Sequence, residues 1–123
     1  MAKLELECLK SLISEVEKLG AKGNRIENKA LREAGDIVKE AIKGEVSVRT
    51  GRLKRSIEAS NVRTKDRIKH VAVGPGKDGY YGKFVEFGTV KMKAKPFMAP
   101  GYEKSKAAAL EKIAEELRKG LGL

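Results

Sequence analysis

The chain has no tryptophan and only three phenylalanines, three tyrosines, three prolines, one histidine and one cysteine among its 123 residues. Each scarcity excludes something. With so few aromatics the core must be built from Leu, Ile, Val and Ala, which suffices for one small domain and leaves little surplus, so stability that leans on partners is expected. Cys8 stands alone: it cannot close an internal disulfide, and a zinc site takes about four ligands. His70 lies in a strand-like stretch with no Ser or Cys at a spacing that suggests a nucleophile, base and orienting group. No catalytic constellation, metal site or cofactor is therefore read. No run of about 18 apolar residues occurs, so no membrane span is expected. The first residues lack the apolar run and cleavage site of a secretory signal, and synthesis in a reducing cytoplasm is the expectation.

Positive charge, by contrast, is abundant, and it is local. The formal net charge is +10. Residues 1–45 carry nine Lys/Arg against nine Asp/Glu, residues 46–104 carry fourteen against five, and residues 105–123 carry four against three. A basic middle between near-neutral ends fits a surface that meets polyanion, nucleic acid above all, and it equally fits a solvated face that keeps the protein soluble. The glycines at 74, 76 and 79 match neither a full G-x-G-x-x-G nor the strand, G-x-x-x-x-G-K-[ST], helix order of a phosphate loop, so a mobile loop over 74–79 is predicted instead, with Lys77 and Asp78 at its tip.

Hydrophobic spacing divides the chain into elements. Leu9, Leu12, Ile13, Val16 and Leu19 predict an amphipathic helix over 3–19, ended by Gly20 and Gly23. Asn24 is a candidate N-cap for a second helix with the stripe Ile26, Ala30, Ala34, Ile37, Val38, Ala41 and Ile42, stopped by Gly44. Thr50 can cap a short turn holding Leu53 and Ile57, with Gly51 leaving room for a tight entry. Residues 58–64 and 67–74 read as a hairpin joined at Lys65-Asp66. Pro96 and Pro100 introduce a last helix with apolar positions at Tyr102, Ala109, Leu110, Ile113, Leu117 and Leu121, its end frayed by Gly120 and Gly122.

The most pointed stretch is FVEFGT, Phe84 to Thr89, followed by PFMAP, Pro96 to Pro100. Glu86 sits between aromatics beside a Gly-Thr break. A half-buried carboxylate persists only when paired or hydrogen-bonded, so Glu86 is expected to pair with a basic residue such as Arg52 or Arg55, or to accept backbone N–H bonds near Thr89. Phe87 and Phe97 are the expected anchors in a core or interface. Lys91, Lys93 and Lys95 would point one way in an extended segment, either to discourage edge-to-edge aggregation or to face DNA phosphates.

Together, the TG-x-L-x-x-S-I of Thr50 to Ile57, the glycine-broken turn, the tyrosines leading into V-E-F-G-T and the P-F-x-x-P resemble the small head–tail joining proteins of long-tailed bacteriophages, also described as neck, tail-completion or minor tail component proteins. The resemblance covers residues 50–104. It implies a short helix over the 80s closed by Gly88, with Thr50, Gly51, Leu53, Ser56, Ile57, Val85, Glu86, Phe87, Gly88, Thr89, Pro96, Phe97 and Pro100 as fold- and assembly-defining residues. It further implies a non-enzymatic virion protein of the neck or tail, made in the host bacterial cytoplasm. Such a protein forms a ring of like subunits around the DNA passage and contacts other neck and tail proteins.

The expected architecture is a single α+β domain over 1–123. Two N-terminal helices occupy 1–45, a small antiparallel sheet of about three strands and the motif region 46–98, and a long C-terminal helix packed on the sheet 99–121. The competing reading is a stand-alone small basic nucleic-acid-binding protein, distinguishable by a steep salt dependence of duplex binding. A small nuclease using His70 or Glu86 would require loss of activity on His70→Ala.

Overall fold

Two long helices set the frame. In the computed structural model, α2 (Ala21–Glu45) and α5 (Met98–Leu121) contain 25 and 24 residues, each about 36 Å long at 1.5 Å per residue. The structure describes residues 2–46, 51–65, 68–76, 79, 82–90 and 93–123, and for 2–9, 68, 83 and 84 the backbone alone. α1 (Ala2–Glu17) precedes α2, and α3 (Arg52–Ser56), β1 (Ile57–Ala59), β2 (Arg63–Lys65), β3 (Ile68–His70), β4 (Val73–Pro75) and α4 (Gly82–Phe87) lie between α2 and α5.

α2 and α5 are antiparallel, because Gly101 near the start of α5 abuts Ile42 near the end of α2, while Gly120 abuts Ile26. Small buried residues, Ala30 and Ala34 on one side and Ser105 and Ala109 on the other, let the backbones approach. Ser105 Oγ satisfies its own burial by donating to Gly101 O at 2.8 Å. A Cβ on Gly101 would lie 2.6 Å from Ile42 Cα, backbone that cannot swing aside. Gly101→Ala is therefore expected to force the helices apart at a cost of about 1–3 kcal/mol, read as a lowered midpoint in urea.

The hydrophobic core falls into two clusters at opposite ends of α2. Ile42, Val46, Leu53, Ile57 and Phe97 form one, with Val38, Val73, Val85 and Met98 packed on it. Val16, Ala30 and Leu117 form the other, with Leu12, Ile13, Ile26, Ile113 and Leu121 around them. Beside the second cluster Glu116, 5% exposed, receives Lys29 and Lys112 at 3.4 Å and Lys119 at 3.7 Å. Burial opposes its ionisation, but the Glu33, Lys112 and Lys29 side chains bonded to it outweigh that and hold its carboxyl below the usual range.

Residues 57–75 make one long antiparallel hairpin in two halves. β1 pairs with β4, Ile57 opposite Pro75 and Ala59 opposite Val73; β2 pairs with β3, Arg63 opposite His70 and Lys65 opposite Ile68. Residues 60–62 separate the strands of the first arm, but only 71–72 those of the second. The first arm thus holds one extra residue, a β-bulge. Ser60 N–H donates to Ala72 O at 2.8 Å, and Ala72 N–H to Ser60 Oγ at 2.9 Å. Side chains alternate along a strand, so the extra residue inverts the facing of the outer first arm. On the second arm Val71 meets Gly35 and Lys69 bonds the side chains of Asn24 and Asn28 and pairs with Glu27 at 3.1 Å, so odd positions keep facing α2. On the first arm Ala59 still lies near Gly35, but beyond the bulge it is Thr64 that joins Lys69 and Asn24 around one cavity, leaving Arg63 and Lys65 turned outward.

The α+β order expected from the sequence holds, with four short strands among the described residues where about three were expected and with α5 packed chiefly on α2, Met98 reaching the strands. Several local expectations are corrected. Asn24 is not the N-cap of α2: Gly20, at φ 63°, holds that position, and Asn24 lies in the first turn with its N–H bonded to Gly20 O. Gly23 does not end α1 but lies inside α2, where a Cβ would strike the Val16 carbonyl, so it serves the close crossing of the two helices. α2 runs through Gly44 to Glu45. Gly74 and Pro75 belong to β4, since a two-stranded ladder tolerates a proline whose missing N–H costs no bond on its open edge. Gly79 is buried against Ser56, and Gly76 N–H donates to Ser56 O at 2.8 Å, so these two glycines serve close packing. Lys77 and Asp78 lie outside the described residues. Nor does α5 fray: Gly122, at φ 78°, closes it, with Leu123 N–H on Arg118 O and Gly122 N–H on Lys119 O.

Candidate assembly site

Every helix begins with backbone N–H groups that have no partner inside it. At the start of α5 no neighbouring side chain caps them; Phe97, the N-cap residue, cannot. Glu86 does so from α4. Its Oε1 accepts from Phe97 N–H and Met98 N–H, both at 2.8 Å, and its Oε2 from Ala99 N–H at 3.3 Å. Pro100 has no N–H to satisfy, and Gly101 N–H already donates to Phe97 O at 3.1 Å. All donors of the first turn are thereby accounted for, and the proline of P-F-M-A-P removes the one the carboxylate could not reach. The positive end of the α5 dipole favours the same charge.

Local backbone features bring the glutamate there. Gly88, at φ 78°, ends α4 in the left-handed conformation, as the resemblance implied. The chain then doubles back so that Lys95 N–H donates to Val85 O at 2.8 Å. Burial alone would raise the Glu86 pKa, but the bonds from Met98, Phe97 and Ala99 outweigh it, and the carboxyl is held below the ordinary value. Of the two partnerships expected from the sequence, backbone donors are the kind observed, contributed by residues 97–99 and so well beyond Thr89.

The two sequence motifs meet in one core. Leu53 and Ile57 of the first pack with Phe97 of the second, 1% exposed, and Val85 lies against them. Gly51, at φ 77°, takes the N-cap position of α3, and Ser56 Oγ donates to Leu53 O at 2.6 Å. Thr50, expected as that cap, lies outside the described residues, as does Lys91. Phe87 is no core anchor: it is 81% exposed, and nearby Val90 is fully exposed. Lys93 and Lys95 are exposed in a stretch without regular structure.

Sequence reasoning missed three features. Gly101 and Gly120 are contact points between helices, Glu116 is a buried ion-pair centre, and Arg25 and Arg32 of α2 share a concavity with Asn61 and Val62 at the bulge. Only the last left a legible signal: residues 25, 28 and 32 fall on one helical face. His70 is exposed opposite Arg63, and among the described residues no group of His, Cys, Asp and Glu could hold a metal ion. No described helix is long and apolar enough to cross a membrane.

Residues 10–88, from α1 to the glycine that closes α4, match the family model described as "Bacteriophage HK97-gp10, putative tail-component". The chain belongs to this HK97-gp10-like family of phage tail components. The resemblance seen in its motifs is thus borne out as family membership, and a structural role in the virion follows from it. The match takes in the T-G-x-L-x-x-S-I and V-E-F-G sequences and stops short of P-F-M-A-P, which Glu86 joins to it physically. No curated protein and no solved structure matches the chain.

Proposed function

We propose that this tail component is a ring-forming subunit that joins head to tail, or completes the tail, around the DNA passage. The observation that supports this most is the position of Phe87 and Val90: large apolar side chains, bare to solvent, flanking the Gly88 turn directly after a glutamate fixed by three backbone bonds. An exposed aromatic on a rigid support has the character of an interface anchor. Rings are closed by contacts between unlike patches. The matching patch is the apolar groove of about 780 Å³ lined by Leu31, Val38, Val71, Met98, Tyr102 and Leu110, between α2, α5 and the second hairpin arm. Val85, Glu86, Gly88, Pro96, Phe97 and Pro100 hold the anchor segment, and Gly51, Leu53, Ser56 and Ile57 the core beneath it.

Electron microscopy of lysates from a phage lacking this gene tests the role: full heads beside unattached tails are expected, and intact infectious particles would refute it. Phe87→Ala should leave stability within about 0.5 kcal/mol of the parent, as for an exposed side chain. The same variant, supplied in trans, should not restore joined particles, and full complementation would remove Phe87 from the interface.

A further inference from the structure

We infer that the concavity lined by Arg25 and Arg32 of α2 and by Asn61 of the hairpin, with Arg63 and Lys65 exposed on the adjoining strand, binds the phosphate backbone of duplex DNA. This rests on the reading that the subunit surrounds the DNA passage, and it names the surface that meets the DNA.

Some described cations are already held by carboxylates, while others, Lys10, Lys22, Lys54, Lys93 and Lys95 among them, are not. Lys29, Lys69, Lys104, Lys112 and Lys119 are all bound to glutamates. Arg25, Arg32, Arg63 and Lys65 make no ion pair or side-chain hydrogen bond among the described residues, and all four are exposed. Two of them, with Asn28, Asn61 and Val62, line a concavity of about 370 Å³ that contains no carboxylate. Asn28 gives its oxygen to Lys69 Nζ at 3.1 Å, which leaves its NH₂ as a donor toward the concavity. The bulge supplies Asn61 to this wall and turns Arg63 and Lys65 out of the adjoining strand.

The concavity offers two guanidinium groups and amide donors, with no carboxylate in its lining. Arginine forks match phosphate oxygens in a bidentate fashion. Arg25 and Arg32 are seven residues apart on one helix, about 10.5 Å, the rise of about three phosphate steps along one DNA strand. A membrane surface would call for an apolar face, and a protein interface for an aromatic or aliphatic centre; Val62 is the one apolar side chain in the concavity. Contacts to phosphate carry no sequence information, so binding through them is sequence-independent, as suits DNA in transit.

The test is fluorescence anisotropy of a labelled random-sequence duplex titrated with the full chain between about 50 and 200 mM salt. Three proteins are compared: the parent, the triple variant Arg25→Gln/Arg32→Gln/Arg63→Gln, and Lys93→Gln/Lys95→Gln. The triple variant should bind at least about tenfold more weakly at low salt, with its log–log salt slope shallower by about 2.7, while the lysine variant keeps most of both. Should the triple variant lose its cooperative melt, the three single variants, each expected to lower the slope by about 0.9, replace it. The proposal is overturned if the parent binds no duplex at low salt, if the arginine variants bind like the parent, or if polyglutamate competes as well as unlabelled duplex, which would make the face a site for an acidic protein. Because the titration uses the isolated chain, its failure is separate from a failure of the joining role, which the micrographs of deletion lysates decide.

Discussion

Phe97→Ala is expected to cost about 3–5 kcal/mol, the range for emptying a large buried aromatic site. Small domains hold together by about 5–15 kcal/mol in all. Phe97 is the largest fully buried side chain described and fills the junction of three segments, the end of α2 at Ile42 and Val46, the α3–β1 corner at Leu53 and Ile57, and the start of α5. None of these can close the space alone, because each is tethered elsewhere: α2 to α5, β1 to β4, α5 to Glu86. Urea denaturation followed by far-ultraviolet circular dichroism should show a large fall in midpoint with the slope kept. The same substitution ten residues earlier, at Phe87, should hardly move the midpoint. An equal response at the two sites would contradict the burial difference between them.

The second large effect belongs to Glu86. Glu86→Ala strips three backbone donors of a charged acceptor at once, and a loss of about 2–3 kcal/mol is expected, more than an ordinary N-cap contributes. Glu86→Gln is the informative companion. Its single carbonyl can replace Oε1 and keep the bonds from Phe97 and Met98, but its NH₂ would face Ala99 N–H, so about half the loss should remain. Because the folded-state pKa lies below the ordinary value, the unfolded chain binds more protons in acid. The carboxylate's contribution is complete above the unfolded pKa of about 4.3 and is lost as pH falls through the lower folded value. Stability of the parent should therefore decline in that acid window, and the decline should be shallower in both Glu86 variants. Some decline will persist in them, because Glu116 shifts in the same direction.

The parts of this structure legible in the sequence are those that rest on periodicity or on an oddly placed residue. The apolar stripes gave the three long helices to within a few residues, and the isolation of Glu86 marked it as a fixed group before its partners were visible. Which donors it takes was not legible: they lie eleven to thirteen residues away, across a turn whose path depends on Gly88. Glycine is the most ambiguous letter of this sequence. A glycine that breaks a helix and one that lets another backbone approach are the same letter, so Gly23 read as a stop when it is a crossing point, and Gly79 read as a loop when it is packed on Ser56. Phe87 beside Gly88 and Phe97 beside Pro96 are both turn-flanked aromatics in the sequence, and only their tertiary positions assign one to solvent and the other to the core.

The bulge at residues 60–62 has a genetic consequence. An in-frame loss of one codon there would leave every side chain of the outer hairpin chemically unchanged yet restore strict alternation along the first arm, turning Arg63 and Lys65 toward α2 and Thr64 to solvent. One deletion event would thus withdraw both cations of the outer strand from solvent at once, whereas point mutations would have to remove them one at a time. For a tail component, the length of this short connection is as heritable a determinant as the identity of any residue in it.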